Sequence, residues 1–387
     1  MKDSKDISIY VHIPFCVRKC LYCDFNSGKY PDYMIDSYID AILKEMDENR
    51  EVFSGKSLKA VYIGGGTPSS VPPSYIGLIF DRISDIIPIE DDTEITIEIN
   101  PGTTTDHKIK DYVSYGVNRV SVGLQSAVDS ELEALGRIHT YNDFLRTYDI
   151  LKENGIKNIN VDIMTSIPHQ TKGSLLKTLQ EVISLHPQHI SAYSLSIEKG
   201  TPFYEMGPMR LDLPAENESY EIYKLTQKYL KEHGYSRYEI SNYALESKDK
   251  GVDYRCRNNL RYWNREDYIG FGASAASLSG YRRYTNISDL DRYIREPGRH
   301  RSEDMILDPK DAMAEFMFLG LRKTEGIRFA DFLNEFDTDI NEVYGEVMRS
   351  HVESELAVIS GEDEDRRFYL TDRGLDISNE VMCDYLF

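Results

Sequence analysis

Three cysteines, Cys16, Cys20 and Cys23, stand in a C-x3-C-x2-C loop directly after a short apolar run, Ile7 to Ile13, that stops at Pro14. Thiolates are the usual ligands of iron–sulfur clusters, and a cubane has four irons to satisfy. Three closely spaced thiols with no fourth nearby leave one iron open to an exchangeable ligand. An open coordination position makes a metal centre reactive rather than only structural. Zinc is the alternative, with His12 or Cys256 as a fourth ligand, although zinc thiols usually come as two separated pairs. Either way the chain must fold so that a strand end presents this loop.

The rest of the composition narrows the setting. With 387 residues, 41% of them hydrophobic, a large core is available. A net charge of −20 argues against a general nucleic-acid surface, which needs clustered Lys and Arg to displace phosphate counterions. Five cysteines, three of them in one motif, do not make a disulfide framework and fit a reducing compartment. Met1 to Ile13 lacks the apolar region of a secretory signal. No apolar segment approaches the ~20 residues of a membrane helix. A cytoplasmic protein is expected, with no nucleic-acid partner and no integral membrane segment.

Downstream of the loop, apolar spacing predicts helices over Asp32–Asn49, Pro72–Ile87, Asp106–Tyr115 and Gly173–Leu185. Between them lie runs that read as strands: Lys59–Ile63, Glu94–Ile99, Arg119–Leu124, Lys157–Ile163 and His189–Leu195. With Ile7–Ile13 this gives six strand–helix alternations, hence parallel pairing and crossover helices. The fold class is α/β, either an incomplete barrel or an open sheet. In both, ligands gather at the carboxyl ends of the strands.

From about Leu307 the pattern changes to helices over Asp311–Lys323, from Phe329 and over Asn341–Glu355. A hairpin follows, Ala357–Ile359 and Arg367–Leu370, then a last helix from Thr371. This is a winged-helix pattern, so residues 1–300 are expected to form the core and 301–387 a small C-terminal α+β domain. Residues 301–387 hold nine Lys and Arg against 22 Asp and Glu. A DNA-reading face needs the opposite sign. A lid or partner-docking module fits better.

The cysteine loop within Tyr10-Val11-His12-Ile13-Pro14-Phe15-Cys16 resembles the radical S-adenosylmethionine (SAM) enzymes, in their oxygen-independent coproporphyrinogen oxidase branch. The resemblance covers roughly residues 7–285 and implies a partial (β/α)6 barrel, a 4Fe–4S cluster on Cys16, Cys20 and Cys23, and SAM on the open iron. Electron transfer from the cluster then cleaves the adenosyl C–S bond; the cofactor carries that chemistry, and the protein supplies position and electrostatics. Position by position, the resemblance implies that Gly65, Gly66 and Thr67 hold the methionine amino group, and that Glu98 and Gln125 contact SAM. It gives Arg137 the methionine carboxylate and Asp162 the ribose, with Tyr10, Tyr22 and Asp24 around cluster and adenine. The segment Gly270–Ala275 is expected to complete this pocket. Each residue also has a plainer reading: a tight turn for the glycines, a solvated strand end for Glu98, a surface cation for Arg137, packing for the tyrosines.

Two features separate members of this branch. Its coproporphyrinogen dehydrogenases carry another cysteine two residues after the third, where this chain has Phe25, and an extension before the first strand, where only six residues precede Ile7. Both differences resemble the haem chaperones of the branch, which hold haem and pass it to acceptor proteins. Their His-Asn-x-x-Tyr-Trp motif appears as Asn258-Asn259-Leu260-Arg261-Tyr262-Trp263. An amide at position 258 is a poor iron ligand, for which Cys256 or Tyr262 could substitute, and the resemblance implies haem contacts at Cys256, Asn259, Tyr262 and Trp263. The expected partners are haem or another tetrapyrrole, a haem-acceptor protein and a reductant such as flavodoxin or ferredoxin. Oxidative decarboxylation of coproporphyrinogen III is the enzymatic alternative. Another radical reaction on a tetrapyrrole and a zinc-binding module complete the possibilities.

Overall fold

The computed structural model describes every residue except 1–4, 248 and 250. Strand β1 (Asp6–Ile13) runs into the cysteine loop, and α1 (Tyr33–Glu48) returns along the sheet. The repeat continues with β2 (Ser57–Gly65), α2 (Pro73–Ile86), β3 (Glu94–Ile99) and α3 (Asp106–Ser114). Then come β4 (Arg119–Gln125), α4 (Asp129–Ala134), α5 (Tyr141–Glu153), β5 (Asn158–Thr165), α6 (Lys172–Ser184) and β6 (His189–Ser194). All six strands expected from the sequence form, and β1 to β6 pair in parallel in chain order. Threonine hydroxyls start α3, α5 and α6: Thr105, Thr140 and Thr171 accept from backbone N–H groups of the first turn.

Beyond β6 the chain adds α7 (Pro202–Met206), α8 (Glu216–Glu232), β7 (Tyr235–Arg237), β8 (Asn242–Leu245) and α9 (Arg257–Trp263). It returns with β9 (Tyr268–Phe271), β10 (Ala276–Ser279), β11 (Arg282–Asn286), α10 (Leu290–Arg295) and β12 (Arg301–Ile306). Among the described residues one twelve-stranded sheet runs β12-β11-β10-β9-β1-β2-β3-β4-β5-β6-β8-β7. Its two edges do not meet, so the barrel is partial: a parallel half-barrel with antiparallel strands at both margins.

The strands carry two chemistries on two faces. In β5, Ile159, Val161 and Ile163 are fully buried in the main core beneath the helices. Their neighbours Asn160, Asp162 and Met164 line the inside of the half-barrel. A parallel strand covered on both faces would read as continuously apolar. Here alternation with period two leaves a polar lumen.

The C-terminal part contains α11 (Pro309–Gly320), β13 (Ile327–Arg328), α12 (Phe329–Phe336), α13 (Ile340–Glu353), β14 (Ala357–Ser360), β15 (Arg367–Leu370), α14 (Asp372–Asp376) and α15 (Ser378–Cys383). Helices followed by a hairpin match the expectation, and β13 joins the hairpin as a third strand. The last helix differs: it is broken at Ile377, whose φ of −118° is not helical. This part has a core of its own, in which Met317, Phe332, Tyr344, Phe368 and Tyr385 are buried.

One buried carboxylate ties the outer strands to α1. Glu45, 1% exposed, accepts from Tyr293 Oη (2.6 Å), Asn286 Nδ2 (2.7 Å) and the Gly272 N–H (3.1 Å). Replacing it leaves the Tyr293 hydroxyl and the Gly272 N–H without this acceptor and takes one of two from Asn286, which keeps the Gly272 carbonyl (3.0 Å), each lost partner costing about 1–3 kcal/mol. Glu45→Ala is therefore expected to lower unfolding free energy by about 3–5 kcal/mol in urea titration. A loss under about 1 kcal/mol would contradict the clamp.

Candidate functional site

At the carboxyl end of β1 the chain turns at Pro14 and enters the cysteine loop, whose backbone is stitched to its surroundings. Cys16 N–H donates to Gly28 O (2.8 Å) and Gly28 N–H to Pro14 O (3.0 Å), closing the loop. Leu21 N–H donates to Leu135 O (3.1 Å) and Phe203 N–H to Leu21 O (3.1 Å), fixing its middle. His12 holds the far side: its Nε2 lies 2.8 Å from Asn26 O, and its Nδ1 lies 3.0 Å from the Tyr10 hydroxyl. A carbonyl can only accept, so Nε2 carries the proton and Nδ1 accepts from Tyr10; burial lowers the ring's pKa and keeps it neutral. Both ring nitrogens are used, so His12 is not a spare metal ligand.

Cys16, Cys20 and Cys23 all line one cavity of about 320 Å³ inside the half-barrel. The turn after β2 closes in on them. Gly65 has φ +112°, a conformation that suits glycine. A Cβ on Gly66 would stand 2.8 Å from the Pro14 carbonyl carbon and 3.0 Å from Cys16 Sγ, so only glycine lets the turn lie against the loop. Hydrogen bonds join two of the sulfurs. Thr67 Oγ1 donates to Cys16 Sγ (3.5 Å) and accepts from Asn100 Nδ2 (2.7 Å). Asn100 Oδ1 accepts from Arg137 Nη2 (2.7 Å), and Arg137 Nη1 donates to Cys20 Sγ (3.5 Å). Donors aimed at sulfur are what tune a thiolate-bound cluster.

The donor set fits a cubane better than one ion. Among the described residues no group of three or more His, Cys, Asp and Glu is arranged to hold a single metal ion. A cubane takes one thiolate per iron, so its thiols face a common space without converging on one point. Burial raises the Cys16 and Cys23 thiols, and a bound metal would displace those protons.

Below the loop the lumen continues with two half-buried carboxyls. Glu98 accepts from Tyr62 Oη (2.7 Å) and from the Gly65 N–H (3.1 Å). Burial pushes its pKa up to about 7; the charge of Asp162 adds to the rise, while the bonds from Tyr62 and Gly65 oppose it. Asp162 accepts from Asn160 Nδ2 (2.7 Å) and Ser121 Oγ (3.0 Å), and burial raises it too. Gln125 ends β4 with φ +75° and borders the same space. Arg137 also donates to Gly123 O (2.6 Å), where a Cβ would stand 3.2 Å from its guanidinium.

Of the residues singled out from sequence, Cys16, Cys20, Cys23, Tyr22, Gly65, Gly66, Thr67, Glu98, Gln125, Arg137 and Asp162 all border this cavity. Tyr10 and Asp24 do not. Tyr10 stacks on Tyr62 (centroids 6.3 Å apart) behind the lining, and Asp24 is exposed on the outer side of the loop. Gly270–Ala275 also lies off the cavity, with Gly272 against His12, Tyr38 and Glu45.

The four haem candidates are divided. Cys256 and Asn259 border the cavity floor, where burial pushes the Cys256 thiol up to about 12. Tyr262 packs edge-on against Tyr268 (centroids 4.4 Å apart). Trp263 lies beneath the Arg322 guanidinium (4.3 Å) and lines a different cavity, against the C-terminal part. Asn258 is buried, and its backbone N–H donates to Glu94 Oε1 (3.2 Å). Sequence reading missed Asn100 and the floor residues Arg119, Ser121, Asn160 and Ser191. Their signal was the period-two recurrence of polar residues in strands whose other face is apolar.

A three-cysteine loop over the carboxyl ends of a parallel half-barrel, with a half-buried carboxyl and an arginine beside it, is the architecture of the radical SAM class. A model of the Radical SAM superfamily matches residues 10–182, and a model of the HemN C-terminal domain matches residues 307–377. The protein called "Heme chaperone HemW" in Bacillus subtilis (strain 168) is 33% identical over 384 residues, 98% of this chain and 99% of that one. Its namesake in Lactococcus lactis is 32% identical across 99% and 98% of the two chains. The Escherichia coli HemW is 37% identical across 70% and 69%. The solved structure of coproporphyrinogen III oxidase (HemN) from Escherichia coli superposes with a TM-score of 0.84 over 99% of this chain and 90% of that one, at 20% identity, and shares the fold. The chain belongs to the HemW family of radical SAM proteins. That membership implies a 4Fe–4S cluster and SAM. No helix among the described residues is long and apolar enough to cross a membrane.

Proposed function

We propose that this chain is a haem chaperone: it binds haem and hands it to acceptor proteins. The observation that carries the reading is end-to-end similarity to proteins named for that role, at 33% identity over 98% of the chain. Cys16, Cys20 and Cys23 would hold the cluster. Arg137, held by Asn100 and the Gly123 carbonyl, would take the methionine carboxylate. Glu98 and the Gly65–Thr67 turn would receive the amino group, and Asp162 the ribose hydroxyls. When bound, the cluster and SAM supply one-electron reductive chemistry. The residues around them orient the sulfonium, limit water and bias two sulfurs through Thr67 and Arg137.

Haem contacts would come from Cys256 and Asn259 on the floor. Tyr262 and Trp263, which face elsewhere, would act through the position of α9. The expected boundary at 300 falls one strand early, because β12 joins the large sheet; residues 1–306 would form the cofactor-bearing core, and the part after them, with a separate core, the module that docks an acceptor protein. A reductant of the flavodoxin or ferredoxin kind would serve the cluster, in the cytoplasm.

One anaerobic preparation tests the reading. Haem titration should give a saturable Soret band, while a deoxyadenosine assay reports any SAM cleavage. Absence of a saturable haem signal from protein with full iron and sulfide content would sink it.

A further inference from the structure

Arg119 is the first residue of β4, points into the half-barrel and borders the cavity at its floor. It is 2% exposed, one of the largest fully buried side chains among the described residues. It nevertheless has no hydrogen-bond or ion-pair partner there, and its Nε is fully buried and unpaired. A guanidinium held in low dielectric without a bonded acceptor is costly. Nearby groups, Glu94 among them, favour its charge through space, but none of them bonds to it. Glu94, whose charge acts on it, is engaged at the start of α9: Oε1 accepts from the Asn258 N–H (3.2 Å) and from Cys256 Sγ (3.7 Å), and Oε2 from the Arg257 N–H (3.1 Å). Glu98 and Asp162 feel its charge but bond to other donors, Glu98 to Tyr62 and the Gly65 N–H, Asp162 to Ser121 and Asn160. Cys256 is a neutral thiol.

The cavity therefore has a guanidinium at each end. Arg137 reaches β4 at Gly123, four residues from Arg119, or about 13 Å along a strand. The rim cation is bonded to Cys20, Asn100 and Gly123, whereas the floor cation is bonded to nothing. Around it stand neutral hydrogen-bonding groups, Ser121, Asn160, Ser191 and Asn259. A planar fork of donors facing an enclosed space matches a carboxylate.

We propose that the cavity floor is a carboxylate-recognition site, in which Arg119 takes one flexible carboxylate arm, of propionate type, of the tetrapyrrole that this chain binds. The assignment rests on the haem reading above for the ligand's class, and on the unpartnered guanidinium for the site. The site stays poised because its cation has no internal partner, so the ligand supplies the missing charge.

The test compares haem with haem dimethyl ester, whose arms are uncharged, on reconstituted wild-type protein and on Arg119→Met. The wild type is expected to prefer the free acid about tenfold or more, and Arg119→Met to bind both alike. An undiminished preference in the variant overturns the proposal. A purely structural arginine would instead reveal itself in ligand-free stability. The urea midpoint of Arg119→Met should equal or exceed that of the wild type, since an unpaired buried charge is gone; a destabilised variant that keeps the preference counts against the proposal. Should Arg119→Met fail to fold, Arg119→Lys carries the test. It keeps the charge without the fork, so its preference should fall several-fold, and an unchanged preference overturns the idea. Should wild-type protein bind neither porphyrin, the haem reading fails on its own. Sodium propionate then decides the floor. A rise in thermal midpoint that depends on Arg119 supports the carboxylate site, and no Arg119-dependent rise removes it.

Discussion

Replacing any one of Cys16, Cys20 and Cys23 with alanine is expected to cut bound iron from about four per chain to less than one, and any deoxyadenosine formation to background. Each thiol serves one iron, and the structure offers no substitute. His12 has both ring nitrogens committed, and Cys256 lies at the opposite end of the cavity from the loop, beside Glu94. Among the three, Cys20→Ala should also weaken SAM binding most, because Cys20 Sγ is one of the groups holding the Arg137 guanidinium. Cys256→Ala should keep full iron and sulfide. Metal analysis and acid-labile sulfide measure the outcome. A Cys20→Ala protein with wild-type iron, or wild-type protein with stoichiometric zinc and no sulfide, would refute the cluster assignment.

The parts of this molecule with a strong period were legible before any coordinates. The parallel strands announce themselves because their outward faces are Ile and Val, as in Ile159, Val161 and Ile163, and because most are followed by a helix long enough to show its apolar stripe. The cysteine loop was legible for a different reason: its spacing is local, so no tertiary information is needed. Arg137 and Asp162 were found only through resemblance, since nothing in the neighbouring sequence says which arginine folds back onto Gly123. The stretch from residue 196 to 306 was hardest. Its strands are three to six residues long, too short for a period to emerge, and β9 earns its place beside β1 only through contacts remote in sequence. Haem candidates on α9 were read as one motif, but a seven-residue helix presents every direction. Cys256 and Asn259 face the cavity while Trp263 faces the C-terminal part. Arg119 went unremarked because an arginine opening a strand reads as solvated, and only burial shows that it is not.

Glu98→Gln is expected to move stability and cofactor affinity in opposite directions. The Glu98 carboxyl titrates near 7 in the folded chain, against an ordinary value of 4.5. Between those two values the folded chain keeps a proton that the unfolded chain has lost. The wild type therefore loses stability as pH rises through this window, by about 3 kcal/mol in all, and the deficit persists above pH 7. Glutamine does not titrate, so at pH 8 the ligand-free variant should be more stable than wild type by about 1–3 kcal/mol, the lower end reflecting an amide that cannot accept from both Tyr62 and Gly65. At pH 4 the advantage should vanish, because wild-type Glu98 is then neutral in both states. SAM affinity should move the other way. If Glu98 receives the cationic amino group, wild-type affinity climbs up to tenfold per pH unit below 7 and levels off above it, as the carboxylate forms. The variant should bind about 10–100-fold more weakly at pH 8, with that slope gone. Urea unfolding over pH 4–8 and equilibrium dialysis over pH 5–8 read the two quantities. A variant that is less stable at pH 8 and still binds SAM with wild-type affinity and slope would show that Glu98 is a packing residue and not the group that meets the cofactor.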